Sequence, residues 1–68
     1  MSFKEKREFE TLETEIAQLE EEKKAIEEQL SSGTLDTDRI ITLSNRISEI
    51  LTLLDDKTMR WLELSELA

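Results

Sequence analysis

Apolar residues recur at alternating intervals of three and four on both sides of the chain's single glycine, Gly33. Before it, with a lysine in one of the apolar positions, the repeat runs through Phe9, Leu12, Ile16, Leu19, Lys23, Ile26 and Leu30. After it, the repeat continues through Ile40, Leu43, Ile47, Ile50, Leu54, Lys57, Trp61 and Leu64. Such alternation is the a and d pattern of a coiled coil, in which one stripe of each helix packs against a partner. The sequence therefore predicts two long amphipathic helices.

Local signals mark where these helices begin and end. Ser2 and Glu5 have the spacing of a Ser-x-x-Glu capping box, and Asp36 is a cap candidate for the second helix. Gly33 is able to adopt the left-handed conformation that closes a helix. We expect helix 1 over about residues 3–31, a loop over about 32–36 and helix 2 over about 37–66, within one domain of residues 1–68.

The short loop determines how the helices meet, because two helices of similar length joined by about five residues can pack only antiparallel within one chain. The predicted layers, from the loop to the chain ends, are Leu30 with Ile40, Ile26 with Leu43, Lys23 with Ile47, Leu19 with Ile50, Ile16 with Leu54, Leu12 with Lys57, Phe9 with Trp61 and Glu5 with Leu64. In the flanking g positions, opposite charges meet in two predicted pairs, Glu22 with Arg46 and Glu8 with Arg60. The predicted fold is all-α, a monomeric two-helix antiparallel coiled-coil hairpin. The alternative is that each helix pairs with a copy from another chain.

Composition argues against catalysis and against metal binding. The chain has no cysteine and no histidine, so it lacks thiolate ligands, the usual zinc ligand and the usual general base. It also has no Gly-rich phosphate-binding loop and no nucleophile with a base nearby. We predict that these residues form no enzyme and hold no cofactor or metal. No apolar stretch approaches the ~20 residues that a membrane-spanning helix needs, and we expect a cytoplasmic protein.

Basic residues are distributed unevenly along this acidic chain. A net charge of −8 argues against tight independent binding to duplex DNA. An antiparallel fold nevertheless gathers basic residues from both helices at the chain ends, next to Phe3, Phe9 and Trp61. The candidates for contact with nucleic acid are Lys4, Lys6, Arg7, Lys57 and Arg60. The competing interpretation is a mixed surface whose basic residues are neutralised by nearby acids, namely Glu5, Glu8, Glu10, Asp55 and Asp56.

Three further features have both a structural and a functional interpretation. Trp61 can stack on a nucleic-acid base or pack across the seam on Phe9, and its place in the apolar stripe favours packing. Lys23 and Lys57 interrupt the seam, where we expect each stem to lie along the seam while the ammonium group reaches a glutamate. Off the seam, helix 2 carries a second apolar stripe that is either ordinary surface or an interface with a larger protein: Ile41, Leu51, Met59 and Leu62.

The two ends of the chain resemble those of a known domain. The opening residues resemble the Ser-Tyr/Phe-Lys-Glu-x-Arg-Glu-Leu start of the C-terminal domain of Uup-type ABC-F ATPases, reading here Ser2-Phe3-Lys4-Glu5-Lys6-Arg7-Glu8-Phe9. The closing residues resemble the Arg-Trp-x-Glu-Leu motif that ends that domain, reading here Arg60-Trp61-Leu62-Glu63-Leu64. Between them, the acidic heptads, the short loop and a second helix that starts at Asp36 follow the same plan.

This resemblance implies that the chain is the C-terminal arm of a longer protein with two ATP-binding cassettes upstream. Such proteins carry the description of ABC transporter ATP-binding proteins, lack membrane spans and act on ribosomes or nucleic acid, and the Uup domain is associated with DNA binding. The resemblance therefore implies a non-catalytic accessory arm that contacts nucleic acid or ribosome on behalf of a parent ATPase. The alternative is a purely structural or protein-binding coiled coil, either as a monomer or as a dimer of two chains.

Overall fold

Residues 2–67, which the computed structural model describes, contain two α-helices. Helix α1 spans Phe3–Ser31 and helix α2 spans Thr37–Glu66. The two helices pack antiparallel in a rod whose principal extents are 49 × 15 × 15 Å. The predicted all-α helical hairpin is confirmed, with both chain ends at one end of the rod and the loop at the other.

Side chains cap the N-terminus of each helix. The Ser2 hydroxyl accepts from the Glu5 N–H at 3.2 Å, and the Glu5 carboxylate accepts from the Ser2 N–H at 2.9 Å. The Asp36 carboxylate accepts from the Arg39 N–H at 2.8 Å. Gly33 follows α1 with a φ of 71°, a left-handed conformation that residues with a side chain rarely adopt. The capping box, the Asp36 cap and the helix-ending glycine are thus confirmed.

The apolar core lies along the seam between the helices. The buried residues are Leu12 and Ile26 of α1 and Leu43, Ile50 and Leu64 of α2. Ile50 and Leu64 are fully buried, each with 0% of its surface exposed. Ile26, Leu43 and Ile50 form one cluster, against which five partly buried residues pack: Leu19, Leu30, Leu35, Ile47 and Leu54. Burial of this stripe is the main favourable contribution to folding of the hairpin.

The predicted layer nearest the loop is more exposed than the seam pattern suggests. We predicted that Ile40 packs on Leu30 nearest the loop, but Ile40 is 43% exposed. Leu35, which the periodic pattern did not include, also packs against the Ile26, Leu43 and Ile50 cluster. The loop, which lies between the end of α1 at Ser31 and the start of α2 at Thr37, thus contributes a leucine to the core at this end.

The two seam lysines contact glutamates, as predicted. Lys57 Nζ lies 2.6 Å from Glu15 Oε2 of the facing helix, and Lys23 Nζ lies 3.5 Å from Glu27 Oε1 of its own helix. Both lysine side chains remain partly exposed, at 34% for Lys23 and 24% for Lys57. Each charged group therefore stays at the surface while its stem covers the seam, which avoids burying an ammonium ion.

Replacement of Ile50 and of Ile40 by alanine tests this description of the core. We expect Ile50→Ala to lower the free energy of unfolding by about 3 kcal/mol, because it removes a fully buried side chain and leaves a cavity. Ile40→Ala makes the same chemical change at a half-exposed site, and we expect it to cost about 1 kcal/mol or less. Urea denaturation followed by circular dichroism measures both. Equal losses of unfolding free energy in the two variants would indicate that Ile40 is part of the core.

Candidate nucleic-acid interface

The candidate interface is built where the first turns of α1 meet the last turns of α2. Here the rings of Phe9 and Trp61 stack across the seam, with centroids 5.4 Å apart and planes inclined by 17°. The indole N–H of Trp61 donates to Glu13 Oε1 at 3.3 Å. This hydrogen bond engages the indole nitrogen, which is the polar atom of the half-buried Trp61 side chain. One face of the Trp61 ring lies against Phe9. The ring therefore packs between the helices rather than standing free as a stacking platform.

Arg60 lies at this end of the rod and is held by two glutamates. Its Nε and Nη2 donate to Glu8 Oε2 and Oε1 at 2.9 and 3.0 Å, and its Nη1 donates to Glu63 Oε2 at 3.0 Å. A guanidinium that binds a carboxylate through two parallel hydrogen bonds is fixed in orientation as well as position. The predicted pairing of Glu8 with Arg60 is confirmed, and three of the five N–H donors of this arginine are engaged.

Lys57 is the second α2 candidate, and the structure places it away from the chain ends. Its partner Glu15 lies about two helical turns beyond Arg7 along α1. Asp55 and Asp56 are among the acids that the mixed-surface interpretation expects to neutralise the basic residues, and Lys57 pairs with Glu15 instead. Helix geometry explains why they do not contact Lys57, since adjacent residues on a helix point in different directions.

Three basic residues of α1 remain exposed together: Lys4, Lys6 and Arg7. Within residues 2–67, none of the three forms an ion pair within 4.0 Å. Lys6 and Arg7 line a shallow surface concavity together with Phe3 and Glu10. Phe3 is 79% exposed, the largest exposure among the exposed large apolar residues. We call Phe3, Lys4, Lys6 and Arg7 the terminal basic patch.

Acids near the terminal basic patch are engaged with other partners. Hydrogen bonds from the backbone and side chain of Ser2 lower the pKa of Glu5 below its ordinary value. The hydrogen bond from Arg60 is the main cause that lowers the pKa of Glu8, with a smaller contribution from Lys4. The same bond raises the pKa of Arg60. Both carboxylates are therefore ionised at neutral pH, and the patch lies on a surface of mixed charge.

Arg46 binds a glutamate of α1 in the same way as Arg60, two heptads closer to the loop. We call these two bidentate arginine–glutamate pairs, Arg60 with Glu8 and Arg46 with Glu22, the arginine clasps. Arg46 Nε and Nη2 donate to Glu22 Oε2 and Oε1 at 2.6 and 2.9 Å, and Arg46 Nη1 contacts Glu49. The predicted pairing of Glu22 with Arg46 is thus confirmed. The hydrogen bond from Arg46 is the main cause that lowers the pKa of Glu22. Together with the Lys57–Glu15 contact, these clasps join the helices along one side of the seam.

Sequence reasoning missed three of the acids that take part in these contacts, namely Glu15, Glu49 and Glu63. A signal for two of them was present, because each clasp arginine is followed three residues later by glutamate, as Arg46-x-x-Glu49 and Arg60-x-x-Glu63. Residues three apart are neighbours on a helix surface, so the spacing alone indicates contact. Glu15 occupies the g position between Glu8 and Glu22, but the facing g position holds Leu53, so matching charges across g positions did not indicate its contact with Lys57.

Within the described residues, nothing resembles a catalytic or metal-binding centre. No group of three or more acidic side chains between residues 2 and 67 is arranged to hold a metal ion. In the same part of the chain, neither helix is long and apolar enough to cross a membrane. The fold thus defines a class of protein module, the two-helix antiparallel hairpin.

Comparison with protein families identifies the module more closely. A sequence model of the ABC transporter C-terminal domain family matches residues 1–66. The chain therefore belongs to the ABC transporter C-terminal domain family, as the resemblance of its two ends implied. Comparisons with curated proteins and with solved structures gave no significant match. Family membership supports an accessory domain of ABC proteins.

The arginine clasps generate a prediction about pH. Arg46 depresses the pKa of Glu22 in the folded state, so the contribution of this carboxylate to stability is present above the unfolded pKa, near 4.5, and is lost as pH falls further. We expect the stability difference between the wild type and Glu22→Gln to be full at neutral pH and to shrink below about pH 4.5. Urea denaturation at a series of pH values measures the difference. Glu21→Gln removes the same charge from an exposed position without a clasp and serves as the control. A constant difference for Glu22→Gln would mean that the clasp adds no stability.

Proposed function

We propose that this chain is a non-catalytic accessory arm of a Uup-type ABC-F ATP-binding protein, and that its terminal basic patch contacts nucleic acid, free or in the ribosome. In this proposal the ATPase activity belongs to ATP-binding cassettes elsewhere in the parent, which acts in the cytoplasm. Membership of the ABC transporter C-terminal domain family supports the accessory role. The resemblance of both chain ends to the Uup-type domain supports the choice of parent.

The observation that carries the contact with nucleic acid is the exposure of Lys4, Lys6 and Arg7 beside the exposed ring of Phe3. Cationic side chains bind phosphate groups, and an exposed aromatic ring offers a face to an unstacked base. Three cations within the first turns of α1, from residue 4 to residue 7, provide a small footprint. We therefore assign the contact to the phosphate backbone and expect little dependence on base sequence.

The charge of the whole chain limits the strength of this contact. The chain carries a net charge of −8, and Glu10 lines the same concavity as Lys6 and Arg7. Arg60 adds little, because its charge is compensated by ion pairs with Glu8 and Glu63. We expect weak binding with a shallow dependence on salt, as contact with about two to four phosphates gives. A weak contact suits an arm that a larger protein holds in place, because tethering raises its effective concentration.

Titration of a fluorescently labelled single-stranded oligonucleotide at low salt tests the proposal. We expect Arg7→Glu to weaken binding by about three- to tenfold, because it reverses a charge at the proposed phosphate contact. Lys24→Glu is the matched control, since it makes the same change of net charge at another exposed position of α1. We expect this control to change affinity by about twofold at most, through the weaker overall field.

Simultaneous reversal of Lys4, Lys6 and Arg7 should remove the remaining binding at low salt. Fluorescence anisotropy measures each affinity, and circular dichroism verifies that every variant remains helical. Equal weakening by Arg7→Glu and Lys24→Glu would indicate a contact that is not located at the patch. The absence of binding by the wild type would leave a protein-contacting arm as the function.

A further inference from the structure

The two sides of the seam differ in the ion pairs that join the helices. With Phe9 and Trp61 at position a of their heptads, Glu8, Glu22, Arg46 and Arg60 occupy position g. Among residues 2–67, every ion pair that joins the helices lies on this g side. Across position e, on the other side, the helices are joined by the hydrogen bond from Trp61 to Glu13 and by no ion pair within the same residues. The e side of the seam is therefore the open side of the hairpin.

A groove runs along this open side. Its lining comes from both helices and comprises Glu13, Ile16, Ala17, Glu20, Thr58 and Trp61. Ala17 and Thr58 are small, so the two helix surfaces leave space between them here. We call this surface the e-side groove.

Exposed leucines extend the e-side groove along α2. Leu51 occupies the e position one heptad before Thr58, and Leu62 follows Thr58 by one helical turn on the same face. Leu51 is 49% exposed and Leu62 is 50% exposed. The pair spans about 16 Å along the helix, which is the length of three turns. An apolar strip of this length, with a half-buried tryptophan beside it, matches the contact that one amphipathic helix makes in a groove.

Along the groove the charges on both helices have one sign, and Lys6, at position e one heptad before Glu13, lies beyond its end. On α1 the groove is bordered by Glu10, Glu13 and Glu20, and on α2 Asp55 lies between Leu51 and Leu62 on the same face. No lysine or arginine occupies the corresponding e and b positions from residue 10 to residue 20 or from residue 51 to residue 62. A partner that lies in the groove therefore meets carboxylates at its edges. Basic residues on its flanks complement them, whereas a second copy of this chain would set like charges against each other.

We propose that the e-side groove is the docking site for an amphipathic helix with basic residues along the edges of its apolar stripe. The partner's apolar side chains lie against Leu51, Leu62 and the edge of Trp61, and its lysines or arginines pair with Glu13 and Glu20. The result is a three-helix coiled coil in which the partner completes the open side of the hairpin. This site adjoins the terminal basic patch at Glu10, but the two proposals rest on different residues and neither depends on the other.

A designed peptide tests the proposal directly. The probe is a peptide of about 21 residues, three heptads with leucine at a and d and lysine at e and g. The matched control peptide has glutamate at e and g. Trp61 is the chain's only tryptophan and borders the groove, so its fluorescence reports occupancy when the peptide carries none. We expect the lysine peptide to bind and to change the emission, and the glutamate peptide to bind at least about tenfold more weakly.

Single substitutions locate the contact. We expect Leu51→Ser to weaken binding of the lysine peptide about fivefold or more, because the leucine loses its buried contact with the partner. Met59→Ser removes an exposed apolar side chain at the outward f position, and we expect it to change affinity by about twofold at most. We expect Glu20→Gln to weaken binding about two- to threefold at low salt, and Glu21→Gln, which points outward at position f, to leave it unchanged.

Three results would overturn the proposal. Equal affinity for the lysine and glutamate peptides would remove the argument from charge. Equal effects of Leu51→Ser and Met59→Ser would place the contact outside the groove. Sedimentation that shows a dimer of the free chain, abolished by Leu51→Ser, would assign the groove to a second copy. Circular dichroism of each variant confirms that a loss of binding is not a loss of fold, because both leucines are half-exposed and outside the core.

Discussion

Within residues 2–67 a single interface holds the chain together, because α1 and α2 are the only elements there and pack against each other. Chain folding, helix register and the positions of all surface groups therefore depend on the apolar seam. The buried cluster of Ile26, Leu43 and Ile50 is small. Two further positions of the seam are occupied by lysines, Lys23 and Lys57. A domain of this size has a thin margin of stability, so each fully buried side chain is a large part of the total.

Ion pairs on one side of the seam restrict the register that the apolar stripe allows. A slip by one heptad along α1 would still align apolar residues, but it would separate Arg46 from Glu22 and Arg60 from Glu8. Because all the inter-helix pairs among the described residues lie on the g side, the e side keeps its acidic and apolar side chains for other contacts. The arrangement that fixes the register thus also leaves one face of the hairpin open.

The position of the chain ends relates this geometry to function. In a longer protein, whatever continues from either end holds the rod at the end that carries the terminal basic patch. The loop at Gly33 then projects by up to the 49 Å length of the rod. The proposed contact through Lys4, Lys6 and Arg7 lies close to the chain ends. The e-side groove lies farther along the rod, between the two helices. The groove thus extends farther from the chain ends than the terminal basic patch does.

The sequence by itself determined the hairpin, the caps and the two clasps, because heptad spacing, capping residues and opposite charges at g positions are local or periodic signals. It also indicated the family, through motifs at both chain ends. Tertiary structure alone decided that Leu35 contributes to the core, since no periodic pattern describes a loop residue. It alone directed Lys57 to Glu15, and it showed that Arg60 is engaged while Lys4, Lys6 and Arg7 are exposed. The open e side likewise becomes visible only when both helices are in place, because a groove is a property of two packed surfaces and not of either sequence stripe.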